Sequence, residues 1–241
     1  MHKTPIVLAA LFLLLFLGLA ATARSYALYY DCSGTQDTAL VVMNSGGEAT
    51  HFTLKLYDAY GARLDPKADS WDLAPFESGY LILSDLIDRG EARFGLALIE
   101  TPGLLTVGVE TFEKEVWLGS DNIVDAVPEA GAHTTYWYGL NYSNTPKQTT
   151  GIVIANPNAS VVAGVLFLYS SAGNLEKKLD FVLEPHETDY HPSTTLVPVS
   201  DAMWGVLDVK ATAPIVLAAE YFNAAGALLN VDQSTHFYYV E

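Results

Sequence analysis

Phe52, Leu54 and Leu56 alternate with Thr53, Lys55 and Tyr57. A period of two sends the two sets to opposite sides of an extended chain, so this segment reads as a half-buried β-strand. Tyr60-Gly61 and Ala172-Gly173-Asn174 supply turns, since glycine enters the left-handed region without steric cost. Short apolar runs at Ala39–Met43, Gly95–Ile99, Leu104–Val109, Gly151–Ala155, Gly205–Val209 and Ile215–Ala219 have strand length and are bounded by Gly, Pro, Asn or Asp. No helical period persists beyond a turn or two, and Ser84–Arg89 is the best segment for a short helix.

The chain also matches itself. Asn44, Leu56, Tyr57 and Gly61 recur as Asn156, Leu168, Tyr169 and Gly173 at an offset of 112. After a loop the offset becomes 110: the run Leu73 to Tyr80 matches Leu183 to Tyr190, Phe94-Gly95 matches Trp204-Gly205, and Glu110-Thr111-Phe112 matches Glu220-Tyr221-Phe222. The slip falls in the polar stretch Arg63 to Ser70, where a loop absorbs insertions. A period this long marks duplication of a whole domain. The expected fold is all-β, two tandem β-sandwich domains from an internal duplication, at 24–112 and 136–241. A connecting segment at 113–135 carries a last strand near Val116–Leu118, and aromatic strands at Tyr26–Tyr30, Tyr136–Tyr138 and Phe237–Tyr239 punctuate the chain.

Residues 1–23 read as a signal peptide. His2 and Lys3 precede an uncharged run from Ile6 to Ala21, and Ala21-Thr22-Ala23 gives the small-x-small pattern before Arg24. The run is shorter than the roughly 20 residues that span a bilayer, so the expected product is secreted or periplasmic, without membrane insertion after cleavage. Against 12 Lys+Arg stand 28 Asp+Glu, a formal net charge of −16. That excludes a nucleic-acid partner, because no basic patch exists to displace counterions. The single cysteine, Cys32, rules out an internal disulfide framework and Cys-based zinc sites. An odd cysteine in an oxidising compartment is either a buried inert thiol, the preferred reading, or half of an intermolecular disulfide; its counterpart in the second copy is Asn144.

The second copy opens with Trp137-Tyr138-Gly139 and continues through Ile154-Ala155-Asn156-Pro157-Asn158, Leu168-Tyr169 with Gly173, Leu183 with Pro185, and Ala213-Pro214-Ile215-Val216 running into Glu220-Tyr221-Phe222. This layout resembles the tandem β-sandwich repeats of uncharacterised secreted bacterial proteins, distantly similar to the sensory rhodopsin transducer family. The resemblance implies a non-enzymatic protein that assembles and binds a partner. The first copy departs from it, with Asn44-Ser45 in place of Asn156-Pro157.

No nucleophile elbow, phosphate-binding loop, HExxH or EF-hand loop occurs, and no catalytic residue or cofactor is expected. Glu110 and Glu220 recur at matching places with apolar flanks. As a catalytic pair they would have to face one bond within roughly 10 Å; as structural carboxylates they accept backbone or tyrosine hydrogen bonds, which is the preferred reading. Glu187, Asp189 and His191 share one face of an extended strand and are weak metal candidates, because Glu187 and His191 stand roughly 13 Å apart unless the chain bends. Asp85, Asp88 and Glu91, and Asp121, Asp125 and Glu129, are acidic stretches with no recognised calcium spacing.

Binding candidates come from the aromatics and from one divergent strand. Trp137, Tyr138 and Tyr142 lie in the densest aromatic segment, where rings stack on sugar faces or fill a core. The outward positions Thr53 and Lys55 correspond to Val165 and Phe167, which makes the second-copy strand apolar on both sides. The expectation is a non-catalytic interaction protein that contacts a protein partner or another copy of itself. A carbohydrate-binding module is the alternative, and a secreted hydrolase of unrecognised type the second.

Overall fold

The computed structural model describes residues 23–88, 93–123, 126–128, 131, 134–234 and 238–239. The leader before residue 23 therefore lies outside the described residues, as do Arg89, Glu91, Asp125, Glu129 and Phe237.

Among the described residues the strands form four small antiparallel sheets. Blade I has the order β5 (Ser78–Ile82), β2 (Gln36–Asn44), β7 (Leu105–Glu113), β8 (Val116–Ile123). Blade II is β1 (Arg24–Asp31), β6 (Phe94–Thr101), β3 (Thr50–Asp58), β4 (Ser70–Leu73). Blade III is β13 (Thr188–Pro192), β10 (Gln148–Ala155), β15 (Val216–Asn223), β16 (Leu228–Ser234). Blade IV is β12 (Leu175–Leu183), β11 (Val162–Ser170), β14 (Trp204–Ala211), β9 (Tyr136–Ser143), β17 (Tyr238–Tyr239). One-turn helices α1 (Leu83–Leu86) and α2 (Ser193–Leu196) follow β5 and β13.

The four sheets are arranged as a four-blade β-propeller in which no core cluster joins blade IV to blade I among the described residues, and this corrects the expectation of two tandem β-sandwich domains. The physical reason lies in the two-sided strands. In β1, Tyr26, Leu28 and Tyr30 pack into a core between blades I and II, while Ala27 and Tyr29 point the other way into a core shared with blade III. In β10, Ile152 and Ile154 face blade IV, while Val153 and Ala155 face blade II. Sheets apolar on both faces are covered on both, so the two copies pack directly on each other.

The copies share topology strand for strand, and their turns are held identically. The Asn44 side-chain amide donates to the carbonyls of Glu48, Leu73 and Ala74; Asn156 donates to those of Ser160, Leu183 and Glu184. Glu77 accepts from the Ala74 amide and Glu187 from the Glu184 amide, each at 2.7 Å. The residue before each glutamate, Phe76 or His186, sits in the left-handed region at φ 61° or 63°, an uncommon conformation for a non-glycine residue.

Candidate functional site

The junction between blades II and III is built from both copies. Tyr57 stacks on His186 with ring centroids 4.1 Å apart, and Phe94 meets Tyr190 edge-on at 6.3 Å. Gln233 holds the backbone of Tyr29 at both ends, accepting from its N–H and donating to its carbonyl at 2.9 Å each. The Thr188 amide donates to the Ala59 carbonyl across the junction, beside a bridge between Tyr60 and Glu187. A Cβ on Gly61, at φ 78°, would come within 2.5 Å of the Pro185 carbonyl oxygen, so only glycine lets the two turns approach.

At one end of this junction Tyr29, Asp31, Phe94, Tyr190, Glu220 and Phe222 help line a cavity of about 220 Å³. The Tyr29 hydroxyl stands 2.9 Å from Glu220 Oε1 and 3.3 Å from Asp31 Oδ2. One hydroxyl carries one proton, so it donates to one of the two carboxyls at a time. Burial first, and then the Asp31 charge, push the Glu220 carboxyl up to about 8, against the opposing hydrogen bonds of Tyr29 and Tyr190. Asp31 rises to about 6, chiefly through burial, with bonds from Ser33 and Tyr29 holding it down. Tyr29 is raised by burial and by the neighbouring carboxylates. Both carboxyls are pushed toward their protonated forms, Glu220 more strongly than Asp31. Their oxygens are directed at tyrosines within the junction, which suits a proton-sharing seal.

Recurrence between the copies singles out Glu220 in the sequence, and its acceptor role from tyrosine matches the structural reading. Its counterpart Glu110 accepts from Tyr80 at 2.8 Å on an exposed face. The partnership of Glu220 with Tyr29, 191 residues away, carries no local sequence signal.

The second feature is the outer face of blade IV. Trp137, Phe167 and Tyr169 form a row, with Trp137 to Phe167 at 6.4 Å and 12° between planes, and Phe167 to Tyr169 at 6.3 Å and 23°. Lys210 Nζ lies 5.4 Å from the Trp137 ring centre, a cation–π distance. Val165 flanks the row opposite Lys210, while Val206 and the exposed Trp204 extend it along β14. Tyr138 and Tyr142, by contrast, belong to the core between blades III and IV. Tyr138 accepts from the Ile215 amide, and Tyr142 contacts the Met203 sulfur.

Glu187, Asp189 and His191 do not converge. Glu187 caps its own turn, and Asp189 lies 2.9 Å from His191 Nε2, which lowers its pKa. Among the described residues no three such side chains gather to hold a metal ion. Asp121 accepts from the Gln233 amide. Cys32 is fully buried, its sulfur 3.4 Å from Asp37 Oδ1, and burial pushes the thiol far up. No helix among the described residues is long and apolar enough to cross a membrane.

No family model and no curated protein matches the sequence. Among solved structures the chain is similar to a β-glucuronidase from glycoside hydrolase family 2, at 11% identity and a TM-score of 0.21 over 88% of this chain and 23% of that one. A family 2 member from Bacteroides cellulosilyticus DSM 14838 gives 10% identity and 0.19, over 87% and 27%. A Bacteroides uniformis β-glucuronidase gives 10% and 0.19, over 90% and 26%. The chain thus spans about a quarter of the length of these hydrolases.

Proposed function

We propose that this is an exported, non-catalytic protein that works by surface contact through the outer face of blade IV. The observation that carries the reading is the row Trp137, Phe167 and Tyr169, with Val165, Val206 and Trp204 around it. The three rings and Val165 are half-buried while Val206 and Trp204 are exposed, and exposed apolar area on a sheet face is costly in solution and marks a contact surface. The leader pattern supports export. The near-parallel planes of the three rings favour a second reading on the same face, a platform for the flat faces of a glycan.

Phe167→Lys tests both. It places a charge in the middle of the row without touching the core of Leu166 and Leu168, so the melting temperature should stay within a few degrees, on the order of 1 kcal/mol. The variant should lose contact with its partner: a lower mass in light scattering for protein contact, or unretarded migration through soluble polysaccharide for glycan contact. Wild-type values in all these measurements would refute the assignment of this face.

A further inference from the structure

Blades I and IV are the ends of the packed series. Core clusters fill the I–II, II–III and III–IV junctions, and none joins blade IV to blade I among the described residues. The duplication gives these two end faces a specific relation. Blade I is the first-copy counterpart of blade III, and blade IV is the second-copy counterpart of blade II. The face that blade IV leaves open is therefore the face blade II presses on blade III, and the open face of blade I is the one blade III presses on blade II.

Several flanking pairs bear the relation out, while the inner-core positions Leu98 and Val216 are answered by Asp208 and Thr106. The stack of Tyr57 on His186 becomes Tyr169 and Phe76, with Phe76 held in the same left-handed turn as His186 and 70% exposed. Phe94 against Tyr190 becomes Trp204 and Tyr80, which are 55% and 52% exposed. Tyr29 with Glu220 becomes Asn141 and Glu110, a donor and an acceptor again. Gly61, which lets the Pro185 turn approach, becomes Gly173, at φ 81° with nothing near its missing Cβ. Tyr57 is buried and His186, Phe94 and Tyr190 are half-buried at the inner junction, whereas Phe76, Tyr80 and Trp204 are exposed at the two ends and Tyr169 is half-buried.

Building on the reading of blade IV as the contact face, we infer that its partner is blade I of a second copy of this chain. The copies join head to tail through a junction that repeats the one between blades II and III. Such an interface is heterologous, so it propagates into a ring or a filament according to its rotation. With a formal net charge of −16 on each chain, like-charge repulsion opposes the contact, and added salt strengthens it by screening.

The test is the mass of the full chain by light scattering, over a range of concentration and salt, with two variants of each end. Phe76→Asp and Tyr80→Ser alter blade I; Asp suits the left-handed backbone at 76. Trp204→Asp and Tyr169→Ser alter blade IV. Thermal unfolding identifies any variant that fails to fold, and the second variant of that end then replaces it. Wild type should assemble, more so in salt, and each single-end variant should fall to the mass of one chain. Mixing a blade I variant with a blade IV variant should restore pairs and nothing larger, because one intact junction remains between them. A wild type that stays a single chain at millimolar concentration overturns the inference, as does assembly that survives the blade I variants or a mixture that fails to pair. If the protein stays single while Phe167→Lys loses polysaccharide retardation, self-pairing fails and the contact role of blade IV stands.

Discussion

Raising the pH from 4.5 to 8 should weaken the folded protein through Glu220. In the unfolded chain this carboxyl releases its proton near 4.5, whereas in the junction burial and the Asp31 charge hold the proton until about 8. Across that window the folded state binds one proton more than the unfolded state, so stability falls as pH rises. The contribution is fully present below 4.5 and gone above 8. Each pH unit between those two values is worth about 1.36 kcal/mol, so the loss is on the order of 5 kcal/mol. Asp31, raised from 3.8 to about 6, adds a loss of the same sign at lower pH. The general repulsion of an acidic chain also has this sign, so the slope alone identifies nothing. Glu220→Gln isolates the group: the amide cannot ionise and still offers Tyr29 an acceptor. Urea unfolding at a series of pH values, read as extrapolated free energies, should show wild type and variant close together at pH 4.5. They should diverge towards pH 8, with the variant more stable by a few kcal/mol. Parallel curves for the two proteins would refute the buried-proton account of this junction.

Gly61→Ala and Gly173→Ala should separate backbone strain from packing: both force alanine to a positive φ at roughly 1–2 kcal/mol, but Gly61→Ala also drives a methyl against Pro185 and should cost measurably more in denaturant unfolding. Asn44→Ala and Asn156→Ala each strip three carbonyls of a donor, and each should lower stability by about 2–3 kcal/mol, with equal losses marking the brackets as equivalent. Cys32 should resist a thiol reagent in the native protein and react once the chain is unfolded, because its thiol is buried and its pKa raised; rapid native labelling would contradict that placement.

The repeat is legible because the turns that define it depend on particular residues. An Asn that satisfies three carbonyls, a Glu that caps the next turn and a Gly at positive φ have few substitutes, so they survive as matches at offsets of 112 and 110. Strand alternation is legible for the same local reason: it correctly separates Trp137 from Tyr136 and Tyr138. Alternation does not say which side is inside, and so Tyr138 and Tyr142 stand among the binding candidates although their rings fill a core. The expected sandwich arrangement fails because it allows each sheet one apolar face. The run Gly151–Ala155 already holds the correction, since a strand apolar at every position needs cover on both sides. The Tyr29, Asp31 and Glu220 cluster depends on contacts between copies, and no pattern along one strand reports those.

At several flanking positions, divergence between the duplicated faces runs against what exposure to water alone would favour. On blade II, part of the inner junction, Lys55 and Glu100 form an ion pair at 2.7 Å with both side chains partly exposed. Their counterparts on the open blade IV are Phe167 and Lys210, and Thr53 and Phe94 are answered by Val165 and Trp204. Solvation would favour the reverse assignment, polar residues on the open face and apolar ones on the covered face, because burying a side chain such as Val or Phe gains about 1.5–3 kcal/mol over leaving it in water. Blade I shows the same inversion: His186, stacked at the inner junction, is answered by Phe76, 70% exposed. At these flanking positions the open faces are the more apolar, although Tyr29, Leu98 and Val216 of the inner core are answered by Asn141, Asp208 and Thr106; cover by a second molecule converts the cost of the flanking apolar groups into binding free energy.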